Sequence, residues 1–168
     1  MAETKLRQYA VVEKLNKMDV DLIASTPDIA EATYSNLDLM TESKSINNAV
    51  AVNGGRCILQ SITAIDTSDT GGAITVVITD STASNMGTVG SAVAMADSVA
   101  DNSVAIVELT NWVDVGGAKV CSKGNIGMVM KGAASAKTLH YGVFNSSGGD
   151  IVIGTDEDII FNFGVIKD

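Results

Sequence analysis

Residues Cys57–Asp66 read CILQSITAID, the segment Asp66–Gly72 reads DTSDTGG, and Ala73–Asp80 follows as AITVVITD. Both flanking runs are rich in β-branched residues, which crowd a helix and pack well on a pleated surface. In the second run Ile74, Val76 and Ile78 alternate onto one face. In the first, strict alternation sets Leu59 and Ile65 on one face and Ile58 and Ile62 on the other. The Asp, Ser and Gly residues between them favour a turn. Strand, acidic turn, strand is the unit from which an antiparallel sheet is built.

The same texture continues on both sides. Upstream, Ala49–Val52 is a short apolar run closed by Asn53, Gly54 and Gly55, a turn signal. Residues 28–48 are polar and irregular, with one short strand expected near Leu37 to Met40. Downstream, residues 81–103 are rich in Ser, Ala, Gly and Met and predict a long loop with a short helix around Ser91 to Val99. Val104–Leu109 predicts a strand, and Asn111–Val115 continues the sheet up to the Gly116-Gly117 turn. Ile126–Lys131 alternates through Ile126, Met128 and Met130, and Thr138–Phe144 through Leu139, Tyr141 and Val143. After the turn NSSGGD come Ile151–Ile153 and then Ile159–Ile166, with Ile159, Phe161, Phe163 and Val165 on one face. These are about eight strands separated by glycine-rich turns, without the helices of roughly 10–15 residues that a βαβ fold needs. The fold class expected is mainly β: an antiparallel β-sandwich or jelly-roll-like domain over residues 28–168.

Residues 1–27 read differently, as a helical or extended N-terminal arm. Val11, Leu15, Met18 and Leu22 recur at helical spacing, and Pro27 stops any helix before it. Lys5, Arg7, Lys14 and Lys17 give residues 1–17 a net charge of +2 in a chain of −9, which leaves −11 for the rest. A mildly basic arm thus precedes an acidic body. Its apolar stripe either folds back on the sheet or packs on a partner, with the four cations meeting acidic surface.

Composition closes off several classes. The chain has 168 residues, 46% of them hydrophobic and 18% charged, enough to build one core without staples. Its acidity opposes nucleic-acid binding, which works through clustered cations on phosphates. No apolar run approaches the roughly 18 residues of a membrane span, and the opening MAETKLRQY has no stretch of the signal-peptide kind. Two cysteines, Cys57 and Cys121, are too few for a disulfide framework and read first as small buried apolar residues.

Candidate chemistry is sparse. The one histidine, His140, lies opposite Leu139, Tyr141 and Val143 in its strand and has no nucleophile motif to partner it. Cys57, Cys121 and His140 lack zinc-ligand spacing. The oxygens of Asp66, Ser68 and Asp69, and those of Asp156, Glu157 and Asp158, read as solvated turns rather than cation sites. Trp112, the only tryptophan, reads as core packing or as an interface anchor. No catalytic residue, metal, cofactor or small-molecule substrate is expected. The strand edges, with no proline after Pro27 to blunt them, favour an assembly of copies.

Three local patterns recur together. Gly54–Asp66, GGRCILQSITAID, joins a Gly-Gly turn to a strand of the type I-L-x-S-(I/V)-T-x-x-D and an acidic turn. Ala73–Ser81 ends a strand at Asp-Ser, and Leu139–Val143 (LHYGV) precedes a glycine-containing turn and a last amphipathic strand. Over residues 46–168 the chain resembles the small β-sandwich structural proteins of tailed-bacteriophage virions, most of all capsid decoration (cement) proteins. The resemblance implies a protein made in the host cytoplasm and carried on the outside of the phage head. There it would reinforce contacts between major capsid subunits, as a homo-oligomer with a trimer favoured, and it would not be an enzyme. A tail- or fibre-associated virion protein is the alternative. A carbohydrate-binding or adhesin module ranks below both, because aromatic residues are only 4% of the chain and lectin sites use aromatic platforms.

Overall fold

The computed structural model describes residues 19–80, 86–154 and 159–167. Twelve strands stand among them: β1 (Asp19–Ser25), β2 (Ala32–Tyr34), β3 (Leu39–Ile46), β4 (Arg56–Asp66), β5 (Ile74–Thr79), β6 (Ser103–Leu109), β7 (Trp112–Asp114), β8 (Lys119–Lys123), β9 (Met128–Lys131), β10 (Leu139–Asn145), β11 (Ile151–Ile153) and β12 (Ile159–Lys167). One helical turn, α1 (Asp97–Ala100), lies between β5 and β6, later and shorter than the expected helix.

The strands form a six-stranded sheet, β1-β12-β4-β8-β7 with β9 also on β4, a four-stranded sheet, β3-β10-β5-β6, and the small pair β11-β2. Every pairing is antiparallel. Setting aside the short strands β2, β7, β9 and β11, eight remain in chain order. The first pairs with the last (β1 with β12), the second with the seventh (β3 with β10), the third with the sixth (β4 with β8), and the fourth with the fifth (β5 with β6). That nesting is a long hairpin rolled on itself into two facing sheets, the jelly-roll form of the expected sandwich.

The core lies between the sheets. Ile74, Val76 and Ile78 of β5, Tyr141 and Val143 of β10, and Phe161, Phe163 and Val165 of β12 are all buried there, on the faces that alternation assigns them. Tyr141 sits edge-on to Phe161 at 5.6 Å and tilted to Phe163 at 5.0 Å between ring centroids. Its hydroxyl donates to Ser25 Oγ at 2.9 Å, so the buried ring keeps a partner for its polar end.

Strand β4 departs from strict alternation. Gly164 pairs with Ser61 but Val165 pairs with Leu59, which leaves Gln60 as the extra residue of a β-bulge. Leu59 and Ile62 therefore both point inward, while Ile58 and Ile65 turn outward and are half-buried. The facing of this strand expected from the sequence is thus corrected by one inserted residue.

Other differences concern elements with weak local signal. The region 28–48 holds β2 and all of β3. The polar run TESKS becomes strand because β3 is an edge strand whose ladder to β10 supplies the backbone bonds. Of the arm expected over 1–27, the described part is extended: residues 19–25 are β1, paired along their whole length with β12. Leu22 accordingly lies on a strand, where period two replaces helical spacing.

An ion pair fastens this edge. Lys167 is 6% exposed, and its Nζ lies 2.7 Å from Asp21 Oδ2. The hydrogen bond from Lys167, and then its charge, hold the Asp21 carboxyl below the usual Asp range. A carboxylate depressed in the folded state adds stability above its unfolded pKa, about 3.9, and that stability is lost as pH falls through the folded value. Acidification from about pH 5 should therefore release amide hydrogen-exchange protection in β1 before β4 or β5. Asp21→Asn should abolish that pH dependence; unchanged acid sensitivity in the variant would place its origin elsewhere.

Candidate functional site on the six-stranded sheet

The two sheets treat their outer faces differently. On the four-stranded sheet, Leu39 and Val77 lie under the β5–β6 connection and form a second apolar cluster with Met86 and Val99, flanked by Val93, Met95, Ala96 and Phe144. Both faces of β5 are thereby covered, and all six of its residues are buried. The described part of the expected long loop, from Met86 onward, covers this sheet.

The outer face of the six-stranded sheet has no such cover among the described residues. Paired residues of antiparallel strands share a face, so register reads out its rows. Val20 pairs with Ile166, Ile166 with Ile58, and Ile58 with Val129. Toward the other end, Ile160 pairs with Ile65, Ile65 with Val120, and Val120 with Val113. Each row is four aliphatic side chains crossing four strands. Three of the four end residues are the most open, Val20 at 75%, Val129 at 65% and Val113 at 62%, while Ile160 is half-buried. Between the rows lies a neutral polar band of Ser61, Thr63, Ser122 and Asn162, in which Thr63 and Ser122 hydroxyls meet at 2.9 Å. Leu22 and Ala24 of β1 border it, and both are exposed. Aliphatic rows gathered on one uncovered face mark a contact site more often than scattered single residues do.

The residues expected to bind partners divide. Lys5, Arg7, Val11, Lys14, Leu15, Lys17 and Met18 lie outside the described residues. Leu22 stands on the outer face just described. Trp112, in edge strand β7, pairs with Cys121 and packs half-buried against the core, with its Nε1 buried and unpartnered. The aliphatic rows were not anticipated, because they exist only once register is known.

Other candidate chemistry resolves into structure. Cys57 and Cys121 are both free and buried. Cys121 pairs with Ala64, which is seven residues from Cys57 along β4, about 23 Å away, so no disulfide joins them. Burial pushes the Cys57 thiol up to about 11 and that of Cys121 upward as well, so neither is a thiolate nucleophile near neutral pH. His140 is half-buried in β10, and burial lowers its pKa against a backbone hydrogen bond at Ser43 that raises it.

Asp66 is 1% exposed, not a solvated turn residue. Its Oδ1 accepts from the Ser68 backbone N–H at 2.9 Å and the Ser68 hydroxyl at 2.6 Å, and its Oδ2 accepts from Gly71 N–H at 2.6 Å. Both oxygens are spent on the loop itself. Asp156, Glu157 and Asp158 lie outside the described residues. Among the described residues no group of three His, Cys, Asp or Glu side chains is arranged to hold a metal ion.

No family model and no curated protein matches this chain. Among solved structures it is similar to a virus-like particle of the extra small virus of the giant freshwater prawn Macrobrachium rosenbergii, at 10% identity and TM-score 0.38, over 90% of this chain and 79% of that one. It is similar to PRD1 vertex protein P5 at 10% identity and TM-score 0.36, over 89% of this chain and 96% of that one. It is similar to tomato aspermy virus at 8% identity and TM-score 0.40, over 97% and 93% of the two chains. Likenesses this loose transfer neither role nor partner, and the functional reading rests on the chain's own geometry.

Proposed function

We propose that this chain is a virion structural protein, a decoration (cement) protein that binds the outside of a phage head and reinforces contacts between major capsid subunits. The observation that carries the reading is the nested eight-strand wrap. Jelly rolls of this kind serve as capsid proteins, lectins and cupins. A cupin-type site needs a metal-ligand cluster, and the described residues hold none. A lectin platform needs exposed aromatics, whereas among the described residues Tyr34, Tyr141, Phe161 and Phe163 are buried and Trp112 and Phe144 pack half-buried against the apolar clusters. What is left is surface contact.

The basic arm is the proposed clamp. It leaves the domain at Asp19, on the edge strand of the bare sheet. Its four cations suit an acidic neighbour, and repetition over a lattice makes weak individual contacts add. The working assembly is a homo-oligomer that acts through area.

A chain of residues 19–168 should fold normally and lose binding to purified particles, while the full chain is retained. Equal retention of both would refute the arm as clamp. Labelled full-length protein should decorate heads in micrographs; label confined to tails would replace this reading with the tail-associated one.

A further inference from the structure

We infer that the outer face of the six-stranded sheet is a self-association surface, on which a second copy of this chain docks through the same face. This inference does not rest on the virion reading. Three observations favour a copy over other occupants.

The first is charge. The chain carries −9, yet no charged residue lies between the row Val20–Ile166–Ile58–Val129 and the row Ile160–Ile65–Val120–Val113. An acidic molecule that keeps the stretch between these rows uncharged, with Arg56 and Lys131 flanking it beyond the Ile58–Val129 pair, lets two copies meet without opposing carboxylates across the contact. The same neutrality counts against the basic arm as occupant, since Lys5, Arg7, Lys14 and Lys17 would find no carboxylate there.

The second is pattern. The two rows lie on either side of a neutral polar band, about 20 Å apart. A two-fold axis in the plane of the face sets row on row and band on band whichever way it runs along the sheet. Ser61, Thr63, Ser122 and Asn162 then meet their own kind, and these side chains both donate and accept hydrogen bonds. An interface that uses one patch on both partners is isologous and closes at two copies. A trimer would need a further contact elsewhere.

The third is area. Five strand positions at about 4.8 Å and the nine residues of β12 at about 3.3 Å each make a face of roughly 24 by 30 Å. That is roughly 700 Å², close to the ~800 Å² per partner of a standard stable interface. Half that size would suit only a transient encounter.

Sedimentation equilibrium of the full chain across micromolar concentrations tests this. The native chain should sediment as a dimer. Val113→Lys combined with Val129→Lys places one ammonium on each row, at sites already open to solvent, so the fold should be kept and its thermal midpoint unchanged. Burying those charges without partners should raise the dimer dissociation constant by about a hundredfold or more. Ile106→Lys, at a residue 57% exposed on β6 of the other sheet, should leave the dimer intact. A native chain that is monomeric throughout would overturn the inference. So would a dimer equally tight in the doubly substituted chain. A dimer that forms only once residues 1–18 are removed would also overturn it, since the arm would then be the occupant.

Discussion

Replacing Asp66 with Ala is expected to cost about 3–5 kcal/mol of unfolding free energy. The carboxylate lies at the end of β4 and accepts three hydrogen bonds, two from Ser68 and one from Gly71. Gly71 holds φ at +56°, a conformation open to glycine that an L side chain resists, and it is this turn that aims the Gly71 N–H at Oδ2. The bonds extend outward: the Ser68 hydroxyl meets that of Thr70 at 3.1 Å, Thr70 Oγ1 donates to the Val152 carbonyl at 2.9 Å, and Lys119 Nζ donates to the Thr70 carbonyl at 2.8 Å. Loss of the acid thus leaves buried donors without acceptors and loosens the contact of this loop with β8 and β11. Asp66→Asn keeps one acceptor for Ser68 but sets an NH2 group against the Gly71 N–H, and should cost about half as much. Urea unfolding of the three chains checks the order. A loss under about 1 kcal/mol for Asp66→Ala would show that water replaces the carboxylate and that the loop is not held by it.

Much of this fold is legible because the strands β5, β10 and β12 carry unbroken alternation, and alternation is the direct imprint of one buried face. Strand β4 shows where that logic ends. A single extra residue at Gln60 exchanges the facing of everything beyond it, and nothing in the string LQSI announces the bulge. The outer rows were hidden for a related reason. Ile58, Ile65, Ile160 and Ile166 look locally like core residues of buried strands, and their alignment across strands depends on register that no single segment contains. Strand β8, KVCSK, has two lysines in five residues and takes its extended form from pairing with β4. Asp66 read as a solvated turn because turns usually are solvated; only the fold shows this one closing over its own acid. At residue 22 two periods coincide: Leu22 completes a helical stripe with Val11, Leu15 and Met18, and equally alternates with Val20 and Ala24. Pairing with β12 decides for the strand.

That choice sets the second large effect. Cutting the chain after Met18 should leave the unfolding midpoint unchanged, whereas cutting after Ala24 should remove about 3–6 kcal/mol and leave a poorly soluble product. The longer cut deletes nearly all of β1, and with it the ladder to β12, the packing of Ile23 on the core and the Asp21 partner of Lys167. Lys167 Nζ then either stays shielded without a counter-charge or pulls the end of β12 into water, and both routes weaken the strand. Strand β12 itself, IIFNFGVIK, becomes an exposed edge carrying two phenylalanines, the kind of edge that recruits other chains. Since domains of this size are held by about 5–15 kcal/mol in total, the loss would unfold a substantial share of molecules near physiological temperature. Urea titration with light scattering separates the two cuts. Equal midpoints for both would mean that β1 stands outside the cooperative unit, and that the arm extends through β1 and does not stop at the sheet edge.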